Sequence, residues 1–131
     1  MVDLADKVDV CTKFGTHPMG SRKIISVIFF RSRNGNEPVR KWLLSFSKKD
    51  KKIIGEAIKV IELGWPLGML IARKIDKDLW EVRCTVTGNK RVRVLFTIFG
   101  MQMVLLHGFV KKTAKTPISD LDIARRRCNQ I

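Results

Sequence analysis

Residues 79–99, LWEVRCTVTGNKRVRVLFTIF, decide the fold of this chain. From Leu79 to Val86 the residues alternate. Trp80, Val82, Cys84 and Val86 face one way, and Glu81, Arg83 and Thr85 face the other. Gly88-Asn89 is a turn signal, so Arg91–Phe99 is expected to return as an antiparallel partner. There Val92, Val94, Phe96 and Ile98 share one face, while Arg91, Arg93 and Thr97 share the opposite one. Gly100 marks another turn, and Met103–Val110 completes a meander. The polar face sets Arg83 beside Arg91 or Arg93, and the third strand delivers Lys111 and Lys112 to the same sheet. Like charges on adjacent strands repel one another. A small sheet that collects them points to a phosphodiester backbone.

Upstream, Lys23–Arg31 (KIISVIFFR) is rich in β-branched and aromatic residues and reads as a first strand. The turn residues SRNGN break it. Asn36 is expected to cap a helix whose first turn holds Glu37 and Pro38. Val39, Trp42, Leu43 and Phe46 then fall at i, i+3, i+4 and i+7. A second helix is predicted near Lys48–Leu63, starting at Ser47 or its neighbours, with Ile54, Ile58 and Ile61 buried. Lys48, Lys49, Lys51, Lys52 and Lys59 take much of its remaining surface. Gly64 suits its C-terminal cap, and Trp65-Pro66 forbids continuation. The two helices are expected to form a hairpin across the sheet. Leu70–Ile75 is expected to be a short strand, with Arg73 and Lys74 near its middle. Thr116 or Ser119 opens a last helix, Pro117 to about Arg127, whose terminal arginines suit a helix C-terminus and are expected to be solvated. The predicted order is β-α-α-β-β-β-β-α, an α+β arrangement.

At 131 residues and 45% hydrophobic, the chain suits one domain with a real core. Lys and Arg number 26 against 12 Asp and Glu, a formal net charge of +14. Residues 1–20 hold two lysines and three aspartates, a net of −1, which leaves +15 on residues 21–131. That surface favours a polyanion or an acidic protein partner. Residues 1–22 lack a clear period and are expected to be an arm, loosely ordered or partner-bound; residues 23–131 form the single domain. Met19 is a conceivable alternative start. Cys11, Cys84 and Cys128 have no metal-ligand spacing and fit a reducing cytoplasm. No signal-peptide pattern and no apolar run of about 18 residues occurs, so a cytoplasmic protein without a membrane partner is expected.

Few residues offer chemistry beyond charge. His107 interrupts an apolar strand, as a hydrogen-bonded core residue or a proton shuttle. Gly108 beside it marks a bulge or a close approach by a ligand. Glu81 pairs with an arginine or acts as a general base. Trp65 and Trp80 read as core. Asp50, Asp76 and Asp78 form no convincing metal set, and neither a nucleophilic triad nor a Gly-rich phosphate loop is present. No cofactor is expected.

FFRS, EPVRKWL, LGWPLGM, LWEVR, RVRVLF, LLHGFVKKTAKTP and IARRR occur in this order between Lys23 and Arg127. Together they resemble the phage-derived branch of the HigB-like toxins, in the RelE superfamily of toxin–antitoxin modules. The resemblance implies a RelE-like fold: a small, mainly antiparallel sheet, an N-terminal helical hairpin and a C-terminal helix. It implies metal-independent endoribonuclease cleavage of messenger RNA, usually on the ribosome, with the substrate's 2′-hydroxyl as nucleophile. The implied partners are mRNA, the ribosome and a helix-turn-helix, HigA-like antitoxin, through which alone the module meets operator DNA. The basic groups at matching positions are Arg83, Arg91 or Arg93, Lys111 and Lys112, together with His107. Arg83, Arg93, His107 and Lys111 are expected to serve catalysis, and Arg73, Lys74, Arg91, Lys112 and Lys115 RNA binding. Phe96 stands where relatives often carry tyrosine, and the arm has no counterpart in the family. A non-catalytic RNA- or ribosome-binding module on the same fold is the alternative.

Overall fold

The computed structural model describes residues 25–66 and 71–131. The arm expected at 1–22, the start of the first strand and residues 67–70 lie outside the described residues. The described elements follow the expected order. They are β1 (Ser26–Phe29), α1 (Pro38–Leu44), α2 (Lys48–Gly64), β2 (Ala72–Asp76), β3 (Leu79–Val86), β4 (Lys90–Phe99), β5 (Gln102–Lys111) and α3 (Ile118–Cys128). A short 3₁₀ turn, Thr87–Asn89, joins β3 to β4. The five strands form one mixed sheet in the order β1-β5-β4-β3-β2. β1 lies parallel to β5, and the other three pairings are antiparallel.

The alternation read from Leu79 onward holds. Val82, Val86, Val92, Val94, Phe96, Met103 and Leu105 are buried on one face, against Val39 of α1 and Ile54, Ile58 and Ile61 of α2. Trp65 stands edge-on to Trp80 at 5.3 Å and to Phe96 at 5.9 Å, so both tryptophans are core residues as expected. Offset and edge-to-face contacts suit the ring quadrupoles. Gly88 and Asn89 both take positive φ in the β3–β4 turn, where these two residue types are least strained.

Two local expectations need correction. Asn36 does not cap α1. Its backbone closes the preceding loop, with its carbonyl accepting from Ser32 N at 2.8 Å, and Glu37 occupies the cap position without a side-chain bond. Gly108 marks no ligand approach, because a Cβ there would overlap the six-membered ring of Trp42. The missing side chain is the seat of α1 on the sheet. The bulge in β5 lies just before it: Leu95 is opposite His107 while Phe96 is opposite Leu105, which leaves Leu106 as the extra residue.

The start of α2 is tied to the far end of the sheet. Ser47 caps it by accepting from Asp50 N at 3.1 Å. Asp50, only 4% exposed, accepts from Thr87 N at 3.2 Å and from Thr87 Oγ1 at 3.0 Å. A buried carboxylate thus clamps the first turn of α2 onto the β3–β4 turn.

The opposite face is not open throughout. Across its middle and the β5 side lies a second apolar cluster of Phe30, Leu79, Leu95, Val104, Leu106, Phe109 and Ala124, with Leu121 and Cys128 of α3 packed against it. The terminal arginines hold this helix down and are not simply solvated. Arg125 pairs with Asp76. Arg127 donates to the Leu106 carbonyl at 2.7 Å and lies 5.8 Å from the Phe30 ring centre. Among the described residues, no helix is long and apolar enough to cross a membrane.

Candidate active site

Beyond α3, the uncovered part of this second face carries the charge. Glu81 is its anchor. It is 2% exposed, and its Oε1 lies 3.8 Å from Arg93 Nε and 4.0 Å from Arg83 Nε. Its Oε2 accepts from Thr116 Oγ1 at 3.0 Å, just ahead of α3. One carboxylate therefore fixes two arginines and the loop between β5 and α3. Cross-strand register does the rest. Arg83 is opposite Arg93, Arg91 is opposite Lys111, and Arg73 is opposite Glu81. The ambiguity between Arg91 and Arg93 thus resolves into two different pairings.

Arg93 is 5% exposed. Its Nη1 donates to the Val92 carbonyl at 3.0 Å, while its buried Nε has no hydrogen-bond partner among the described residues. An unsatisfied buried guanidinium N–H is costly in a finished core and useful beside an incoming anion. Burial pushes the Arg93 guanidinium below its usual value; Glu81 opposes that, and Arg83 and Arg91 add to it. The Lys111 ammonium is also pushed down, by partial burial first and then by Arg93. Glu81 holds it up, and Arg83 and Arg91 push it further down. Such crowding of cations is tolerable because water reaches Arg83 and Arg91, both exposed.

A cleft of about 390 Å³ opens over this cluster, lined among others by Arg73, Glu81, Lys111, Lys115 and Thr116. Of the residues singled out from sequence, Arg73, Lys74, Lys111 and Lys115 line it, and Arg83, Arg91 and Arg93 adjoin them through Glu81 and the cross-strand register. The Lys74 ammonium sits 5.6 Å from the centre of the Trp80 ring, whose side chain belongs to the helix-covered face. Lys112 and His107 stand apart. Lys112 is exposed beyond the end of β5. His107 shares the face of Lys111 but precedes it by four residues, about 13 Å along a strand. Its Nε2 is 2.7 Å from Asp120 Oδ1 of α3, and its ring stacks on Phe109 at 5.8 Å. Phe96 is fully buried on the other face.

Thr116 and Asp120 escaped the sequence reading. Both act through contacts between residues far apart in the chain, and Thr-Pro before a helix signals only a helix start. Among the described residues, no group of three or more His, Cys, Asp or Glu side chains could hold a metal ion. The arrangement offers three clustered cations beside a cleft, one of them an amine with weakened hold on its proton. That is equipment for binding and stabilising a phosphoryl anion.

No curated protein matches the chain. The family model for the phage-derived Gp49-like proteins (DUF891) matches residues 41–129, from α1 to the end of α3. The chain therefore belongs to the Gp49-like family of phage-derived proteins, a family of RelE/HigB-like toxins.

Proposed function

We propose that this protein is the toxin of a type II toxin–antitoxin module and a metal-independent endoribonuclease that cuts messenger RNA, in the cytoplasm and on the ribosome. The observation that carries the reading is the Glu81-anchored pair of Arg83 and Arg93, with Lys111 beside Glu81 in the lining of an open cleft. In the proposed reaction the substrate's 2′-oxygen attacks the adjacent phosphorus, and its proton passes to water. The bond from phosphorus to the 5′-oxygen breaks, leaving a 2′,3′-cyclic phosphate and a 5′-hydroxyl. Arg93 and Arg83 stabilise the extra negative charge of the pentavalent phosphorus, where a fixed cation counts for more than in the ground state. Lys111, already disposed to release a proton, supplies it to the departing oxygen. Arg73, Arg91 and Lys115 hold flanking phosphates. His107, tied to Asp120, positions β5 against α3. The antitoxin of this reading is a HigA-like helix-turn-helix protein, and only that partner touches operator DNA. Residues 23–131 are the toxin domain and residues 1–22 an added arm.

A binding module without catalysis is the second reading. It is favoured by the engagement of both other titratable candidates: Glu81 with two arginines and a threonine, and His107 with Asp120. The deciding experiment offers purified protein a ribosome-bound messenger and the same RNA free in solution, and maps the product ends. Fragments ending in cyclic phosphate support the nuclease. RNA that is bound and remains intact overturns it in favour of the module.

A further inference from the structure

Four lysines flank the clamped start of α2, and the proposed active site does not use them. Lys48, Lys49 and Lys52 are exposed and Lys51 is half-buried. They crowd the helix end where the backbone dipole is already positive, so they disfavour the helix they begin. Nothing in the packing needs them, since the buried stripe of α2 is Ile54, Ile58 and Ile61. Asp50, the acid among them, is turned inward to Thr87 and offers them no surface counter-charge. Glu56 follows a turn later on the exposed side.

The clamp determines what these lysines join. It holds them at the β3–β4 turn, where the Lys90 side chain folds over Gly88, its Cε 3.8 Å from where a Cβ would be. The next residue, Arg91, is exposed and stands opposite Lys111. A line of cations therefore leaves the cleft at Lys111 and Arg91, rounds the end of the sheet at Lys90, and reaches Lys48, Lys49, Lys51 and Lys52. One carboxylate buried at the bend keeps the two halves in register. Stepwise point charges along a curved line, without apolar anchors between them, suit a flexible polyanionic strand better than a folded protein.

We propose that the first turn of α2 is the outer half of a single-stranded RNA track that begins in the cleft. This rests on the ribonuclease reading above and adds where the substrate runs. The test uses RNAs of about 4 and about 16 nucleotides. They carry 2′-O-methyl groups throughout, so binding is read without cleavage, and fluorescence anisotropy is followed across a salt titration. Changing all four lysines to serine should weaken the 16-mer and spare the 4-mer. For the 16-mer, the slope of log affinity against log salt should fall by about 0.7 for each phosphate that is no longer neutralised, roughly 2–3 in all. Circular dichroism confirms that the variant is folded. Should it fail to fold, the same readings are made on the two pairs, Lys48/Lys49 and Lys51/Lys52, changed separately. An unchanged slope in a folded variant, while the unaltered chain binds both RNAs, overturns the track and leaves the nuclease reading intact. An unchanged slope with abolished binding of polyglutamate also overturns it, and assigns the patch to an acidic protein. If the unaltered chain binds neither RNA, the track is overturned, and the nuclease reading is decided separately by the ribosome-bound messenger.

Discussion

Replacing Glu81 by glutamine keeps the shape of the side chain and removes the acidic group paired with Arg93 and Arg83. Arg93 stays inside, 5% exposed, facing Arg83 across the strand pair. Breaking a buried pair from one side costs about 3–5 kcal/mol, because the other charge is left uncompensated. Thr116 still finds an oxygen to donate to, so the loss belongs mainly to the arginines. For a chain of this size each kcal/mol lowers the melting temperature by roughly 3–5 °C, so a drop of about 10–20 °C is expected. The double variant Glu81→Leu/Arg93→Met removes both charges at once. It should recover most of that stability, since apolar replacement of a whole buried pair is often neutral or better. Cleavage should not return, because the cation is gone. Calorimetric melts of Glu81→Leu, Arg93→Met and the double variant give the coupling directly. If Glu81→Gln melts within about 3 °C of the unaltered chain, or if the double variant is simply the sum of the singles, the carboxylate is not what holds the cluster.

Three further outcomes are expected. Lys111→Ala and Arg83→Ala should each slow RNA cleavage by about 10²–10³, from losing roughly 2–4 kcal/mol of transition-state stabilisation, with melting curves unchanged; full activity in both would remove them from the site. His107→Ala should lower the melting temperature, because the hydrogen bond to Asp120 goes, and leave single-turnover cleavage within about tenfold, whereas a proton shuttle would lose about 10²–10⁴ in rate with stability intact. The Cys84 thiol is pushed up from 9.0 to about 11 by burial, against the lowering pull of Arg93. Between these values the folded chain holds a proton that the unfolded chain has released, so stability is present below pH 9 and declines towards pH 11. Cys84→Ala should flatten that decline in denaturant titrations, and an unaltered slope would contradict the assignment.

The strands that carry the cations were legible because a two-residue period leaves little freedom. Once Trp80, Val82 and Val94 are known to face a core, Arg83, Arg91 and Arg93 must face away from it. The extents of the helices were legible too, and Ser47 does cap α2, but Asn36 does not cap α1 and Gly64 lies inside α2. What escaped was tertiary. No local pattern reveals that Thr116 reaches Glu81, that Asp120 meets His107, or that Arg125 and Arg127 anchor the last helix. Lys74 lines the cleft as well, and its position opposite Trp80 sets its ammonium over that ring, a contact no local pattern reveals. Gly108 carried a true signal of close approach, but a tryptophan rather than a ligand makes it.

The surplus residue at Leu106 decides more than a local bend. Pleated strands have a parity, and β5 changes parity once, between Leu105 and His107. Without that step the odd-numbered residues that follow would stay on the side of Leu105, and Lys111 would point into the helices with Val92 and Val94. Every side chain after Leu106 thus owes its side of the sheet to this one bulge. A strand that kept Leu106 in regular alternation, without the bulge, would not blunt the charged cluster by degrees. It would exchange Lys111 for Val110 in one step, while the helix seat vacated by Gly108 would be refilled by a residue with a side chain. The cleft lysine and the helix seat are therefore inherited together, as one choice of odd or even.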